Sequence, residues 1–95
     1  MEKMDIKHLK TKGKQLEPII RIGKSGITEN VIMDLKKHLD KRNLIKIKFL
    51  RSYISTIDKA EAFKKITDLT DSVLIDSTGF VIVIAKYRQN LNKKK

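Results

Sequence analysis

The stretch Ile22-Gly23-Lys24-Ser25-Gly26-Ile27-Thr28 decides how this chain folds. β-branched residues precede it and a run with helical periodicity begins at Thr28, so the pattern predicts a strand, a tight turn and a helix N-terminus. Glycine at both ends of the Lys24-Ser25 pair removes the Cβ atoms that would keep another backbone away. Because the first N–H groups of a helix have no partner within it, such a turn can receive a phosphate. Taken alone, two glycines at this spacing more often form a simple turn than a ligand site.

The composition predicts a polyanionic partner. The chain has 95 residues, enough for one domain, and its 22 Lys and Arg against 11 Asp and Glu give a net charge of +11. Phosphates would supply long-range, salt-dependent attraction to such a surplus. The chain contains no Cys, which excludes a disulfide scaffold, a thiol nucleophile and the common zinc frameworks. Because no stretch is typical of a signal peptide or a membrane span, we expect a cytoplasmic protein that does not bind a membrane.

Periodicity and capping residues predict seven elements in the order αβαβαββ. The predicted helices cover residues 5–16, 28–42 and 58–70, and the predicted strands cover residues 18–22, 44–50, 72–76 and 80–87. Strand-helix-strand units imply parallel pairing, while the last two strands form an antiparallel hairpin. The sequence therefore predicts an α/β (α+β) fold, a four-stranded mixed sheet with helices packed on it. Residues 1–88 form its single domain, and residues 89–95 form a basic disordered tail.

Local signals add detail to this outline. Thr28 is a good N-cap for the second helix, and Asn43 is suited to a left-handed C-cap. Gly13 costs helix stability, so it marks a close approach of the first helix to the sheet. The segment 51–53 is predicted as a loop, in which Tyr53 either stacks on a base or packs against the turn. Asp76 is expected at an exposed end of the third strand. The fourth strand is apolar on both faces, so we expect it to be central and covered on both sides.

Several segments resemble one known family in the same order along the chain. The turn at Ile22–Thr28 resembles the signature loop of the CRM domain, the chloroplast RNA splicing and ribosome maturation domain. Leu16-Glu17-Pro18-Ile19-Ile20, Leu44-Ile45-Lys46-Ile47-Lys48, and Gly79 followed by a strand ending in Tyr87-Arg88 are similar to its strands. The resemblance covers residues 5–88 and is to a free-standing prokaryotic member with one domain. One departure is Gly13, where family members often have Ala.

The resemblance implies a fold similar to the C-terminal domain of bacterial translation initiation factor three. It also implies RNA binding, with ribosomal RNA or pre-ribosomal particles of the large subunit as partner. The backbone of the turn and Lys24 are expected to hold phosphates, and other cations to extend a basic surface. Each of these charges, taken singly, is explained equally well as a solvated surface residue. The expected RNA-binding residues are Arg21, Gly23, Lys24, Ser25, Gly26, Lys37, Lys46, Lys48, Lys86 and Arg88.

Two alternatives remain open at the level of the sequence. One is a chromatin-type protein that coats DNA or RNA as a dimer, and the other is a protein-docking module on the ribosome that uses charge only for steering. An enzyme is the least favoured class, because the sequence offers no nucleophile-base pair, no metal cluster and no paired carboxylates. We therefore expect a monomer without catalytic residues, metal, cofactor or small-molecule substrate.

Overall fold

A computed structural model of the chain describes residues 6–54 and 58–86, and four strands form a single sheet in it. The strands are β1 (Ile20–Ile22), β2 (Leu44–Phe49), β3 (Ser72–Thr78) and β4 (Val81–Lys86). Their order across the sheet is β1-β2-β4-β3. β1 is parallel to β2, whereas β2 with β4 and β3 with β4 are antiparallel pairs. The predicted four-stranded mixed sheet and its terminal hairpin are therefore confirmed.

The helices are α1 (Ile6–Lys14), α2 (Glu29–Arg42), α3 (Arg51–Ile54) and α4 (Lys59–Thr70). α2 follows its local signals closely. The Thr28 side chain accepts a hydrogen bond from the Val31 N–H at 3.2 Å, and Asn43, with φ 66°, donates its N–H to the Leu39 carbonyl. Both caps satisfy backbone groups that a helix end leaves unpaired, so the predicted bounds of this helix are confirmed.

One face of the sheet is covered by α2 and α4, and we call it the helix face. Alternation along β2 and β4 places Ile45, Ile47, Ile82 and Ile84 on this face, all of them buried. They form one cluster with side chains of α2 and α4 that include Leu35, Leu39, Phe63 and Ile66. Burial of this much apolar surface is the main source of the stability of the fold.

The opposite face, which we call the α1 face, is covered only in part. Leu9 of α1 and Leu16, just after it, lie against buried side chains of three strands, Leu44, Ile75, Val83 and Ala85. A Cβ atom on Gly13 would lie 2.9 Å from Cγ1 of Val83, so the expected close approach of α1 is confirmed. The expectation of a central β4 covered on both sides is confirmed as well. Beyond α1 the face is open, and it carries the charged side chains of β1 and β2.

Several local predictions differ from the structure, beginning with β1, which starts at Ile20 rather than residue 18, and α1, which ends at Lys14 rather than residue 16. Residues 51–54 form the single helical turn α3 rather than a loop, because four residues are too few to show a helical period. β3 extends to Thr78 rather than ending at residue 76, so Asp76 is half-buried within the strand instead of exposed at its end. A bulge between Leu74 and Asp76 interrupts the β3–β4 register. The predicted tail at 89–95 lies outside the described residues.

Candidate nucleic-acid interface

The turn between β1 and α2 is closed by its own backbone and tied to β2. The N–H of Gly26 donates to the Gly23 carbonyl at 2.8 Å, with Lys24 and Ser25 exposed at the tip of the turn. The N–H of Leu50 donates to the Ile22 carbonyl at 2.8 Å, which joins the carboxyl ends of β1 and β2. The tip therefore projects from one end of the sheet on a rigid base.

Both glycines of the turn face the segment after β2. A Cβ atom on Gly23 would lie 3.0 Å from Leu50 Cδ1, and one on Gly26 would lie 3.0 Å from Tyr53 Cε1. Gly26 also has φ +75°, a conformation that side chains disfavour. The spacing of the two glycines thus has a structural cause, which is contact with α3 and the residue before it.

Tyr53 connects the turn to the core. Its ring stacks on that of Phe49, with centroids 6.0 Å apart and planes inclined by 19°, and Phe49 in turn contacts Phe63 at 5.4 Å. Burial raises the pKa of the Tyr53 hydroxyl, because the charged phenolate would lose hydration. The sequence left two roles open for Tyr53, stacking on an RNA base or packing against the turn. In the structure its ring packs against the turn at Gly26. It is a positioning residue for Gly26.

The open part of the α1 face presents cations beside this turn. Arg21 of β1 pairs in register with Lys48 of β2, so their Cα atoms lie about 4.8 Å apart on neighbouring strands. Both side chains are exposed, while Lys46, two residues earlier on the same face, is half-buried. Lys24 follows Arg21 by three residues, at the tip of the turn. The structure therefore brings together Arg21, Gly23, Lys24, Ser25, Gly26, Lys46 and Lys48.

The N-terminus of α2 lies at the same end of the sheet. Thr28 uses its side chain to cap this helix, whose dipole places partial positive charge next to the turn. Ion pairs within residues 6–54 and 58–86 hold Lys64 and Lys86 to carboxylates, whereas none holds Arg21, Lys24 or Lys48. These three cations are available to an anionic ligand. Together with the N-terminus of α2 they offer the positive charge that a phosphate group requires.

Other expected residues lie elsewhere. Lys37 is exposed on α2, eight residues after Glu29 and therefore about 12 Å along the helix axis from its start. Lys86 ends β4, about 17 Å along the strand from Val81, which pairs with Lys48 near the turn. The Nζ atom of Lys86 lies 2.7 Å from Oδ1 of Asp40. The structure does not bring Lys37 or Lys86 together with the turn, and Arg88 lies outside the described residues.

Two further lysines near the site were not singled out from the sequence. Lys59 donates to the Gly79 carbonyl at 3.2 Å, and its Nζ atom lies 5.5 Å from the centroid of the Phe80 ring, near the start of β4. Lys14 ends α1 and borders the open part of the α1 face beside Lys46. Both placements depend on contacts between residues 20 or more positions apart, for which local periodicity gives no signal.

Across 6–54 and 58–86, no group of three or more His, Cys, Asp or Glu side chains is placed to hold a metal ion. No helix in this part of the chain is both long and apolar enough to span a bilayer.

The chain is similar to proteins from several microorganisms. The CRS1/YhbY (CRM) domain matches residues 1–88. MJ0652 of Methanocaldococcus jannaschii is 32% identical over 85 residues, which cover 90% of this chain but only 63% of that protein. YqeI of Bacillus subtilis is 31% identical over 78 residues, covering 82% of this chain and 79% of that protein. Both relatives are named as probable RNA-binding proteins.

A solved structure shares the fold. The solution structure of SAV1595 from Staphylococcus aureus, a hypothetical protein described as an RNA-binding candidate, matches with a TM-score of 0.73 at 31% sequence identity. The match covers 92% of this chain and 88% of that one. The agreement extends over nearly the whole chain, and so over the sheet that carries the turn and its neighbouring cations.

Proposed function

Because this chain belongs to the CRS1/YhbY (CRM) domain family, we propose that it is an RNA-binding protein that holds phosphates with the Gly23–Gly26 turn and the neighbouring cations. Its RNA is ribosomal, within precursors of the large ribosomal subunit, and its role is to assist their assembly in the cytoplasm. It acts by binding, as a monomer, and the proposal requires no catalytic group, metal or cofactor.

One observation carries this proposal. Arg21, Lys24 and Lys48 converge at one end of the sheet, beside a turn whose backbone is tied to β2 and whose tip is exposed. An RNA backbone contributes a negative charge at each nucleotide, and backbone N–H groups at a helix N-terminus add directed donors to the side-chain charges. The names of the relatives MJ0652 and YqeI support the same class of ligand.

The first prediction compares two lysines at opposite ends of α2. Lys24 precedes this helix, and Lys41 lies twelve residues after its first residue Glu29, so the helix alone separates them by about 18 Å. That distance is about two Debye lengths, each of about 8–10 Å at physiological salt. We expect Lys24→Ala to weaken binding to a ribosomal RNA fragment by about fivefold or more at 0.1 M salt, the counterion-release value of one phosphate contact. Fluorescence anisotropy measures this affinity.

Lys41→Ala is the matched control, since it removes the same charge from the same fold. We expect its RNA affinity to stay within about twofold of the parent, because its site lies beyond the range of unscreened attraction. Equal losses in the two variants would mean that net charge alone drives binding and that the turn is not a site. Duplex DNA bound as tightly as RNA would favour the DNA-coating alternative.

The ribosomal assignment is tested in cells. Crosslinking followed by sequencing of the bound RNA should recover large-subunit ribosomal RNA with the parent chain, and recover less of it with Lys24→Ala at equal protein abundance. Recovery of unrelated transcripts in both cases would contradict the ribosomal assignment while leaving RNA binding intact.

A further inference from the structure

We propose that a recess on the α1 face reads one unpaired RNA base, guanine, and that Asp76 is the residue that recognises it. The recess has a volume of about 260 Å³, and its walls include Gly13, Lys14, Lys46, Asp76, Val81 and Val83. This inference rests on the proposed function and names the class of RNA that the same surface selects, a single strand with an exposed guanine.

The recess adjoins the cations described above. Lys46 lines it, and Lys48 lies two residues further along β2 on the same face, about 7 Å away. Val81, which also lines the recess, pairs with Lys48 across the sheet. A strand of RNA with its phosphates on Lys48 and the turn therefore has a base within reach of the recess.

The floor of the recess suits the flat face of a base. Val83 is buried and Val81 is half-buried, and both point to the α1 face. At about 260 Å³ the recess is smaller than the roughly 300–1,000 Å³ of sites for drug-sized ligands. Its size and apolar floor match one ring system rather than a longer stretch of RNA. Unstacked bases in single-stranded RNA are commonly held this way and read on their Watson–Crick edges.

A carboxylate is unexpected on a surface that holds phosphates, because it repels them. Asp76 lines the recess beside Lys14 and Lys46, and in the described parts of the chain no salt bridge joins it to either lysine. Its Oδ1 atom accepts a hydrogen bond from the Ser77 N–H at 2.9 Å. A carboxylate has about four acceptor positions, so this hydrogen bond leaves most of them for a ligand in the recess that Asp76 lines.

The β-bulge places Asp76 there. Ile75 belongs to the cluster on the α1 face, and Asp76 pairs with Val83, whose side chain lies on that same face. Regular alternation after Ile75 would direct Asp76 to the helix face, against α4. The register shift between Leu74 and Asp76 instead gives two consecutive side chains the same direction. Bulges that redirect a side chain are frequent beside functional sites.

Guanine is the base that matches this acceptor. Its Watson–Crick edge presents N1–H and the N2 amino group side by side, a pair of donors for the two oxygens of one carboxylate. Adenine and cytosine present an amino group next to an acceptor nitrogen, which the carboxylate would repel. Uracil presents one N–H between two carbonyl groups. The geometry therefore selects guanine over the other three bases.

The experiment uses the full chain and short single-stranded RNAs. The probes are oligouridine strands with one central G, A, C or U, and fluorescence anisotropy measures the affinity of the chain for each. We expect the parent to bind the G probe about 5- to 100-fold more tightly than the U probe, the discrimination of one bidentate contact. We expect Asp76→Asn to reduce that ratio to about twofold or less, because its amide group replaces one acceptor with a donor.

The control is Asp34→Asn, the same change at an exposed position on α2, which should leave the ratio unaltered. Thermal unfolding shows whether both variants are folded. A parent without guanine preference, or a preference that survives in Asp76→Asn, would overturn the inference while the proposed function stands. So would an affinity that rises equally for all four probes in Asp76→Asn, since Asp76 would then only repel phosphate. A parent that binds none of the probes and no ribosomal RNA fragment would overturn both.

Discussion

Gly26 is the residue on which the shape of the turn depends most. It combines φ +75° with a position where a Cβ atom would lie 3.0 Å from the ring of Tyr53. Gly79, in the β3–β4 turn, has φ +59°, but a Cβ atom there would meet nothing within 4 Å. Alanine at either position adopts the same unfavourable backbone conformation, and only at Gly26 does it also press on an aromatic ring that stacks on the core.

We expect Gly26→Ala to lower the free energy of unfolding by about 2–4 kcal/mol and Gly79→Ala to lower it by about 1–2 kcal/mol. The larger value adds the contact with Tyr53 to the backbone cost that both variants share. Urea denaturation of the parent and both variants, analysed with one shared m value, measures the two losses. Equal losses would show that Tyr53 does not confine the turn.

At the scale of elements, α1 lies against the sheet where the backbone of Gly13 closely approaches the side chain of Val83. A Cβ atom on Gly13 would lie 2.9 Å from Cγ1 and 3.0 Å from Cγ2 of Val83. Val83 is β-branched and only 4% exposed, so its methyl groups have little room to move aside. Glycine at this position weakens α1 as a helix but lets it lie against β4.

We expect Gly13→Ala to destabilise the fold by about 1–2 kcal/mol, because overpacking outweighs the gain of about 1 kcal/mol in helix propensity. In a Val83→Ala background the obstructing methyl groups are gone, and the same change should stabilise the fold by about 0.5–1 kcal/mol. A double-mutant cycle, from chemical denaturation of the four proteins, gives the coupling between the two sites. Additive effects would contradict a direct contact.

The elements that were predicted well are those with local signals. α2 begins after Thr28 and ends before Asn43 because each cap residue satisfies backbone groups next to it in the sequence. The alternation of apolar and charged residues correctly assigned the two faces of β2, with Lys46 and Lys48 on the face opposite the core. The bulge in β3 left no such signal, because apolar residues on both sides of Leu74 are compatible with either register.

Only part of the candidate site could be predicted from the sequence. The proximity of Arg21 to Lys48 follows from the predicted parallel pairing of their strands, whereas two other contacts do not follow from any local pattern. The pairing of Lys86 with Asp40 joins positions 46 residues apart, and nothing in the sequence distinguishes Lys86 from the lysines near the turn. The contact of Tyr53 with Gly26 depends on α3, which is too short to predict.

At the scale of the whole molecule, charge is arranged differently at the two ends of the sheet. The turn, the N-terminus of α2 and the exposed Arg21 and Lys48 lie at one end. At the other end, the C-terminal parts of α2 and α4 border an open groove of about 790 Å³. This groove combines the carboxylates of Asp40, Asp68 and Asp71 with the lysines Lys36 and Lys86, so that cations there face nearby carboxylates. The dipoles of α2 and α4 differ in the same way, since they place partial positive charge at the first end and partial negative charge at the second.

The difference between available cations at the turn and cations beside carboxylates at the far end predicts which lysines control the salt dependence of RNA binding. Each phosphate contact on a single strand contributes about 0.7 to the slope of log affinity against log salt, so contacts by Arg21, Lys24 and Lys48 give a slope of roughly −2. We expect Lys48→Ala to make this slope shallower by about 0.7. Lys86→Ala should leave it unchanged, since Lys86 already pairs with Asp40 at the far end. Affinities measured by anisotropy from 50 to 400 mM salt, about an eightfold range, resolve the difference. An equal change for Lys86→Ala would place RNA along the whole length of β4, and the interface would then include both ends of the sheet.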